Sequence, residues 1–153
     1  MTRGFFAVAL WHPKAETNYG TALRSCVVFG AAQIQIVGPR FRRQASDTVR
    51  AWQKVPTLVT TELQIPHDCI PVAVEVDPTA TALPGFVHPE RALYVFGPED
   101  GSLPAAVVAR CPRKVVIPGA YCLNLAAAVA VVLYDLVAKQ DASEYAVPRR
   151  MGQ

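Results

Sequence analysis

The sequence predicts one α/β domain built on a parallel sheet. Three observations lead there. Short apolar runs without polar alternation recur along the chain, as buried parallel strands do. Segments with helical spacing stand between them. No internal repeat, linker or low-complexity stretch divides the 153 residues, a length that suits a single domain over residues 1–153 with a sizeable core.

Gly4 to Leu10 is a continuous apolar run ended by His12-Pro13, the mark of a buried strand. Asn18 is expected to cap a helix through about Ala31, with Leu23, Cys26, Val27 and Gly30 as its buried stripe. Gln33 to Val37 is a second strand stopped by Gly38-Pro39. Ser46 or Asp47 is expected to cap a short helix through Lys54, and Thr57 to Thr60 is a third strand. Pro71 to Val76 is a fourth, ended by Asp77-Pro78, and Thr79 to Glu90 is a connecting loop. Arg91 to Phe96 is a fifth strand, followed by a helix from about Leu103 to Arg110. Lys114 to Ile117 is a sixth, and a long helix runs from about Leu123 to Lys139. On that last helix Leu125, Val129, Val132, Leu133 and Leu136 form one stripe, while alanines make the other side apolar too. A helix apolar nearly all round needs cover on both faces, so a homodimer is expected.

Composition narrows the class. At 52% hydrophobic and 18% charged, the chain is too apolar for disorder and carries a surplus of apolar surface. Its longest apolar stretch, Leu125 to Tyr134, is about half of the roughly 20 residues that span a bilayer. The N-terminal apolar stretch is short and runs into Trp11-His12-Pro13, so no signal peptide is expected. Cys26, Cys69, Cys111 and Cys122 are widely spread, without metal-ligand spacing. A reducing cytoplasm and no metal site are therefore expected. The net charge of +3 matters less than the clustering of Arg40, Arg42, Arg43, Arg50 and Lys54, with only Asp47 as an acid among them. These are candidates for phosphate contact, with Arg149 and Arg150 as tail candidates, although a solvated basic face would look the same. Trp52 beside them is read as a base-stacking residue or, more simply, a core or dimer contact. Glu75, inside an apolar strand, needs a buried partner or a pocket.

Ligands of parallel α/β sheets bind beyond the carboxyl ends of the strands, and three loops there are chemically unusual. The first, His12 to Gly20, leads to Arg24, whose fork suits phosphate; a capped helix with a surface arginine accounts for the same residues. The second, Phe96-Gly97-Pro98-Glu99-Asp100-Gly101-Ser102-Leu103-Pro104, fixes an irregular backbone whose amides and carbonyls can hold a planar ring. A rigid turn with acids favouring the helix N-terminus is the plainer account. The third, Ile117 to Leu125, puts Asn124 at the head of the last helix, to cap it or to hold a ligand.

Together and in this order, the three loops resemble the signature motifs of the SPOUT superfamily of RNA methyltransferases, in its TrmH/SpoU branch. Asn18, Gly20 and Arg24 match the first motif. Phe96-Gly97, Glu99 and Gly101 match the second, with Ser102 inserted before Leu103. Ile117-Pro118 and Leu123-Asn124 match the third, which is shorter than usual here and carries Cys122 where serine is common. The resemblance spans almost the whole chain.

That resemblance implies a parallel-sheet α/β knot, its C-terminal part threaded as a trefoil knot, and a homodimer. It implies S-adenosylmethionine as cofactor, bound by Glu75, Val76, Gly97, Glu99, Ile117, Cys122, Leu123 and Leu125. The implied reaction is methyl transfer to a ribose 2′-hydroxyl of RNA, with Arg24, Asn18, Glu99 and Asn124 as the catalytic group. Arg24 would act from one subunit toward the cofactor of the other, and would also contact RNA with Arg40, Arg42, Arg43, Arg50 and Lys54. The minimal chain is most similar to tRNA-directed members; an rRNA-directed 2′-O-methyltransferase is the alternative within the family. A catalytically silent RNA- or nucleotide-binding dimer is the other, favoured by Cys122 and the short third motif. A Rossmann oxidoreductase fails, because no GxGxxG follows any strand.

Overall fold

A computed structural model describes residues 4–40, 50–140 and 147–150. Its chain runs β1 (Phe6–Trp11), α1 (Glu16–Phe29), β2 (Gln33–Val37), α2 (Ala51–Lys54), β3 (Thr57–Thr60), β4 (Ile70–Val74), β5 (Thr81–Ala82), β6 (Ala92–Phe96), α3 (Ala105–Ala109), β7 (Arg113–Val116) and α4 (Leu125–Ala138). The strands form one sheet of seven in the order β3-β2-β1-β6-β4-β7-β5, and every pairing is parallel. β6 lies between β1 and β4, with Phe6 beside Ala92 on one side and Ile70 beside Ala92 on the other.

The unbroken apolar runs follow from burial on both faces. Along β1, Phe6, Val8 and Leu10 point to the face covered by α1 and α4, where they meet Leu23, Cys26, Tyr94, Val129 and Leu133. Ala7 and Ala9 point to the other, toward Leu103, Val107 and Cys111 around α3. Truncating a fully buried leucine such as Leu10 or Leu133 to alanine removes about 2–5 kcal/mol of stability. α1 stops at Gly30, whose φ of 80° lets its amide reach the carbonyls of Cys26 and Val27.

Several boundaries differ from the sequence reading. β4 ends at Val74, so Glu75 lies just beyond the strand, and α4 starts at Leu125 behind its cap Asn124. α1 begins at Glu16, so Asn18 lies inside its first turn and is not the cap; Ala15 occupies that position and brings no side-chain bond. The loop from Thr79 to Glu90 contains a further strand, in which Thr81 and Ala82 pair with Val115 and Val116 of β7. α3 is shorter than expected because Pro104 takes the cap position. Ser46 and Asp47 lie outside the described residues, and neither caps α2, which starts at Ala51 with Arg50 in the cap position and no side-chain cap bond. α4 buries Leu125, Ala126, Val129, Val132 and Leu133, but leaves Tyr134 63% and Val131 38% exposed in the single chain. Among the described residues, no helix is long and apolar enough to cross a membrane.

Candidate functional site

The carboxyl ends of β4, β6 and β7 open into a cavity of about 160 Å3. β4 continues into it as Val74, Glu75 and Val76, β6 as Phe96 to Glu99 and Gly101, and β7 as Val116 and Ile117. Cys122, Leu123, Leu125 and Ala128 close the wall from the last loop and α4. The eight residues for which the resemblance implies cofactor contact therefore surround one space. Its walls mix apolar side chains with polar main chain, its charged lining residues are two glutamates, and no basic side chain lines it among the described residues.

Local geometry explains how the wall stands. Glu75 is half-buried, and each carboxylate oxygen is used: Oε2 accepts from the Leu103 amide at 2.8 Å, and Oε1 from the Val76 amide at 3.0 Å. Those bonds draw the 97–103 loop over the end of β4. Gly97 permits the approach, since a Cβ there would stand 3.3 Å from the Leu103 nitrogen and 3.6 Å from Glu75 Oε2. The sequence requirement that Glu75 find a partner or a pocket is met by both.

Glu99 explains the start of α1. Its carboxylate accepts from the amides of Lys14 at 2.9 Å and Ala15 at 3.3 Å. These donors precede the first helical turn, where negative charge also favours the helix dipole. α1 thus has no side-chain cap, and its head is held from outside by a residue of the second motif. Next to it, Asp100 receives both prongs of the Arg40 guanidinium at 2.6 and 3.0 Å. That fork holds the Asp100 carboxyl down to about 2 and raises the Arg40 guanidinium.

The remaining candidates are separated. Asn124 caps α4, accepting from the Ala127 amide at 2.8 Å. Asn18 is half-buried in the first turn of α1. Arg24 is exposed further along α1, is not part of the cavity wall of its own chain, and its guanidinium makes no hydrogen bond or ion pair among the described residues. Of the RNA-binding candidates, Arg40 is engaged by Asp100 instead of standing free, while Arg50 and Lys54 are exposed at the two ends of α2. Arg42 and Arg43 lie outside the described residues. Trp52 is 57% exposed, so it is not a core residue of the single chain. Arg149 and Arg150 are exposed. Cys122 is an exposed free thiol, whereas burial raises Cys26 to about 12. No group of residues that could hold a metal occurs among the described residues.

Sequence reasoning missed a partly buried polar network. His88 Nδ1 lies 2.7 Å from the Tyr94 hydroxyl, and Nε2 lies 2.7 Å from Asp135 of α4. Lys139 reaches the same Asp135 and donates to the carbonyls of Leu83 and Phe86. The signal for it in the sequence is the pair of charges, Asp135 and Lys139, four residues apart on an otherwise apolar helix.

A seven-stranded parallel sheet with a walled cavity at the strand ends, framed by the second and third motif loops, defines the class as an α/β protein with a ligand crevice at its carboxyl edge. The chain belongs to the SpoU rRNA methylase family, whose model matches residues 6–134. Solved structures share the fold. An rRNA methyltransferase from Sinorhizobium meliloti has a TM-score of 0.75 at 25% identity, over 88% of this chain and 56% of that one. The SpoU methyltransferase AviRb from Streptomyces viridochromogenes has a TM-score of 0.76 at 19% identity, over 90% of this chain and 60% of that one. AviRb is also known in complex with the cofactor AdoMet. A structure described as giving insight into the 2-OH methylation of C/U34 on tRNA has a TM-score of 0.76 at 22% identity, over 91% of this chain and 92% of that one. This chain spans less than two thirds of the length of the first two. No curated protein sequence matches it.

Proposed function

We infer that the chain is an S-adenosylmethionine-dependent RNA methyltransferase that methylates a ribose 2′-hydroxyl, on tRNA, as a cytoplasmic homodimer. One observation carries the reading: the cavity lies at the carboxyl ends of β4, β6 and β7, its lining mixes apolar side chains with polar main chain, and among the described residues its charged lining is two carboxylates with no basic side chain. Such a lining disfavours a phosphate-bearing ligand and suits a flat heteroaromatic ring, stacked on apolar side chains with its polar edge on main chain, attached to a cationic centre. S-adenosylmethionine has that character, and its sulfonium supplies an electrophilic methyl carbon when bound. Glu75, Val76, Gly97, Glu99, Ile117, Cys122, Leu123 and Leu125 would hold it. Glu75 and Glu99 would do so chiefly by fixing the loops, because both carboxylates are occupied by backbone amides.

Arg24 would orient the hydroxyl or its neighbouring phosphate. Arginine stays protonated at physiological pH, so holding an anionic or polar group in line is the chemistry it performs well. It lies outside the cavity of its own chain and has no partner there among the described residues, which supports action toward the cavity of a second copy. Exposed Val131 and Tyr134 on α4 support the same dimer. Asn18 and Asn124 would support the loops flanking the reacting groups. The trefoil knot belongs to this reading as well. β6 enters between β1 and β4, both earlier in the chain, and β7 then passes to the far side of β4 before α4 returns to α1.

The tRNA assignment draws on the match to nearly the full length of the structure concerned with C/U34 on tRNA. The rRNA alternative draws on the family's name and the Sinorhizobium relative. Calorimetry with S-adenosylmethionine tests the cofactor, and an absence of binding at millimolar concentration would leave the silent RNA-binding dimer. Nucleoside mass spectrometry of tRNA and rRNA from a deletion strain tests the product; loss of a 2′-O-methyl nucleoside from rRNA alone would select the alternative.

A further inference from the structure

Arg40 follows the Gly38-Pro39 stop of β2 and spans three strand ends. Its fork grips Asp100 in the loop after β6, at 2.6 and 3.0 Å. Its Nε donates to the His12 carbonyl after β1 at 3.0 Å, and its amide donates to the Pro13 carbonyl at 3.1 Å. Lys14 Nζ stands 3.6 Å from the same Asp100 carboxylate. A planar guanidinium whose paired prongs already hold a carboxylate lacks that fork for a phosphate.

What the fork holds is consequential. Asp100 sits between Glu99 and Gly101, both in the cavity wall. Glu99 in turn holds the amides of Lys14 and Ala15, from which α1 runs rigidly to Arg24. We propose that Arg40 is a positioning residue: through Asp100 it couples the 97–101 wall of the cavity to the head of α1, so that filling the cavity orders the helix that carries Arg24. This rests on the reading of the cavity as the S-adenosylmethionine site. The pair is exposed, with 38% and 42% of the side chains accessible. Such pairs add little to global stability, so the effect of breaking it falls on coupling.

The test uses the full chain with Arg40→Gln, Arg40→Lys and the reversed pair Arg40→Asp with Asp100→Arg. S-adenosylmethionine is titrated by calorimetry, and exchange of the Lys14 and Ala15 amides is followed by NMR with and without it. In the unmodified chain the ligand slows exchange at both amides. Arg40→Gln is expected to weaken binding about fivefold, at the low end of measured couplings between sites, and to abolish that protection while the melting temperature holds. Arg40→Lys, which keeps the charge and loses the fork, does the same, and the reversed pair restores part of both effects. Wild-type affinity and protection in Arg40→Gln overturn the proposal. If its RNA affinity also loses about one unit of salt slope, Arg40 is a phosphate contact. An unmodified chain that binds no S-adenosylmethionine overturns the cofactor reading itself, and the coupling with it.

Discussion

Nε2 of His88 lies 2.7 Å from Oδ2 of Asp135, joining the loop before β6 to the last turns of α4. A carboxylate only accepts, so Nε2 carries the proton and Nδ1 accepts from the Tyr94 hydroxyl. The neutral ring thereby satisfies both neighbours.

This arrangement makes stability depend on pH. Burial pushes His88 below its usual 6.5, and outweighs the opposing pull of Asp135. The unfolded chain therefore takes up the proton first as pH falls, and stability is lost from about 6.5 downward toward the folded value. Asp100 and Asp77, both lowered, add their losses only in the acid range. Melting temperature should fall between pH 7.5 and 5.5, and His88→Gln should flatten that slope. An equal slope in the variant would remove His88 as its source.

Asn124 separates capping from catalysis. Asn124→Ala removes the bond to the Ala127 amide and should cost about 1 kcal/mol, read from denaturant midpoints. Asn124→Ser keeps a cap and should recover most of that stability. If methylation stays low in the serine variant, the amide also serves the reaction; full recovery would confine Asn124 to the helix.

Gly97→Ala places a methyl 3.3 Å from the Leu103 nitrogen, beside the bond that Glu75 receives. The neighbour is backbone and yields little, so a loss of about 1–3 kcal/mol is expected. Calorimetry should show weakened S-adenosylmethionine binding in the variant, because the displaced loop is the cavity wall.

Arg24→Ala should lower turnover by at least about a hundredfold through lost alignment, with S-adenosylmethionine affinity kept. Parallel loss of both would place Arg24 in the support of the cavity instead of at the hydroxyl.

Neutralising Arg50 and Lys54 together should weaken RNA binding and reduce its salt slope by roughly one for each phosphate they pair with. An unchanged slope would leave them as a solvated face.

The sheet was legible because burial on both faces leaves unbroken apolar runs such as Phe6 to Leu10 and Ala92 to Phe96. β5 was not, since Thr81 and Ala82 are exposed and owe their pairing to the edge of β7. The head of α1 was misread for a related reason: local chemistry favoured Asn18, whereas the acceptor came from Glu99, more than 80 residues away. The cavity residues were legible through the motifs and not through spacing. Arg40 shows the limit of charge counting, because a basic cluster does not reveal which member an acid such as Asp100 will claim.

The placement of β6 has a consequence for synthesis. β4 pairs only with β6 and β7, and one edge of β1 is reserved for β6. A nascent chain thus delivers five strands before the one that seats the middle of the sheet. Until Ala92–Phe96 is made, β1 presents an open hydrophobic edge and β4 has no neighbour at all. Unpaired edges of this kind invite association with other chains. The growing polypeptide is most exposed to aggregation over this interval, and a chain cut before Ala92 keeps only the β3-β2-β1 half of its sheet.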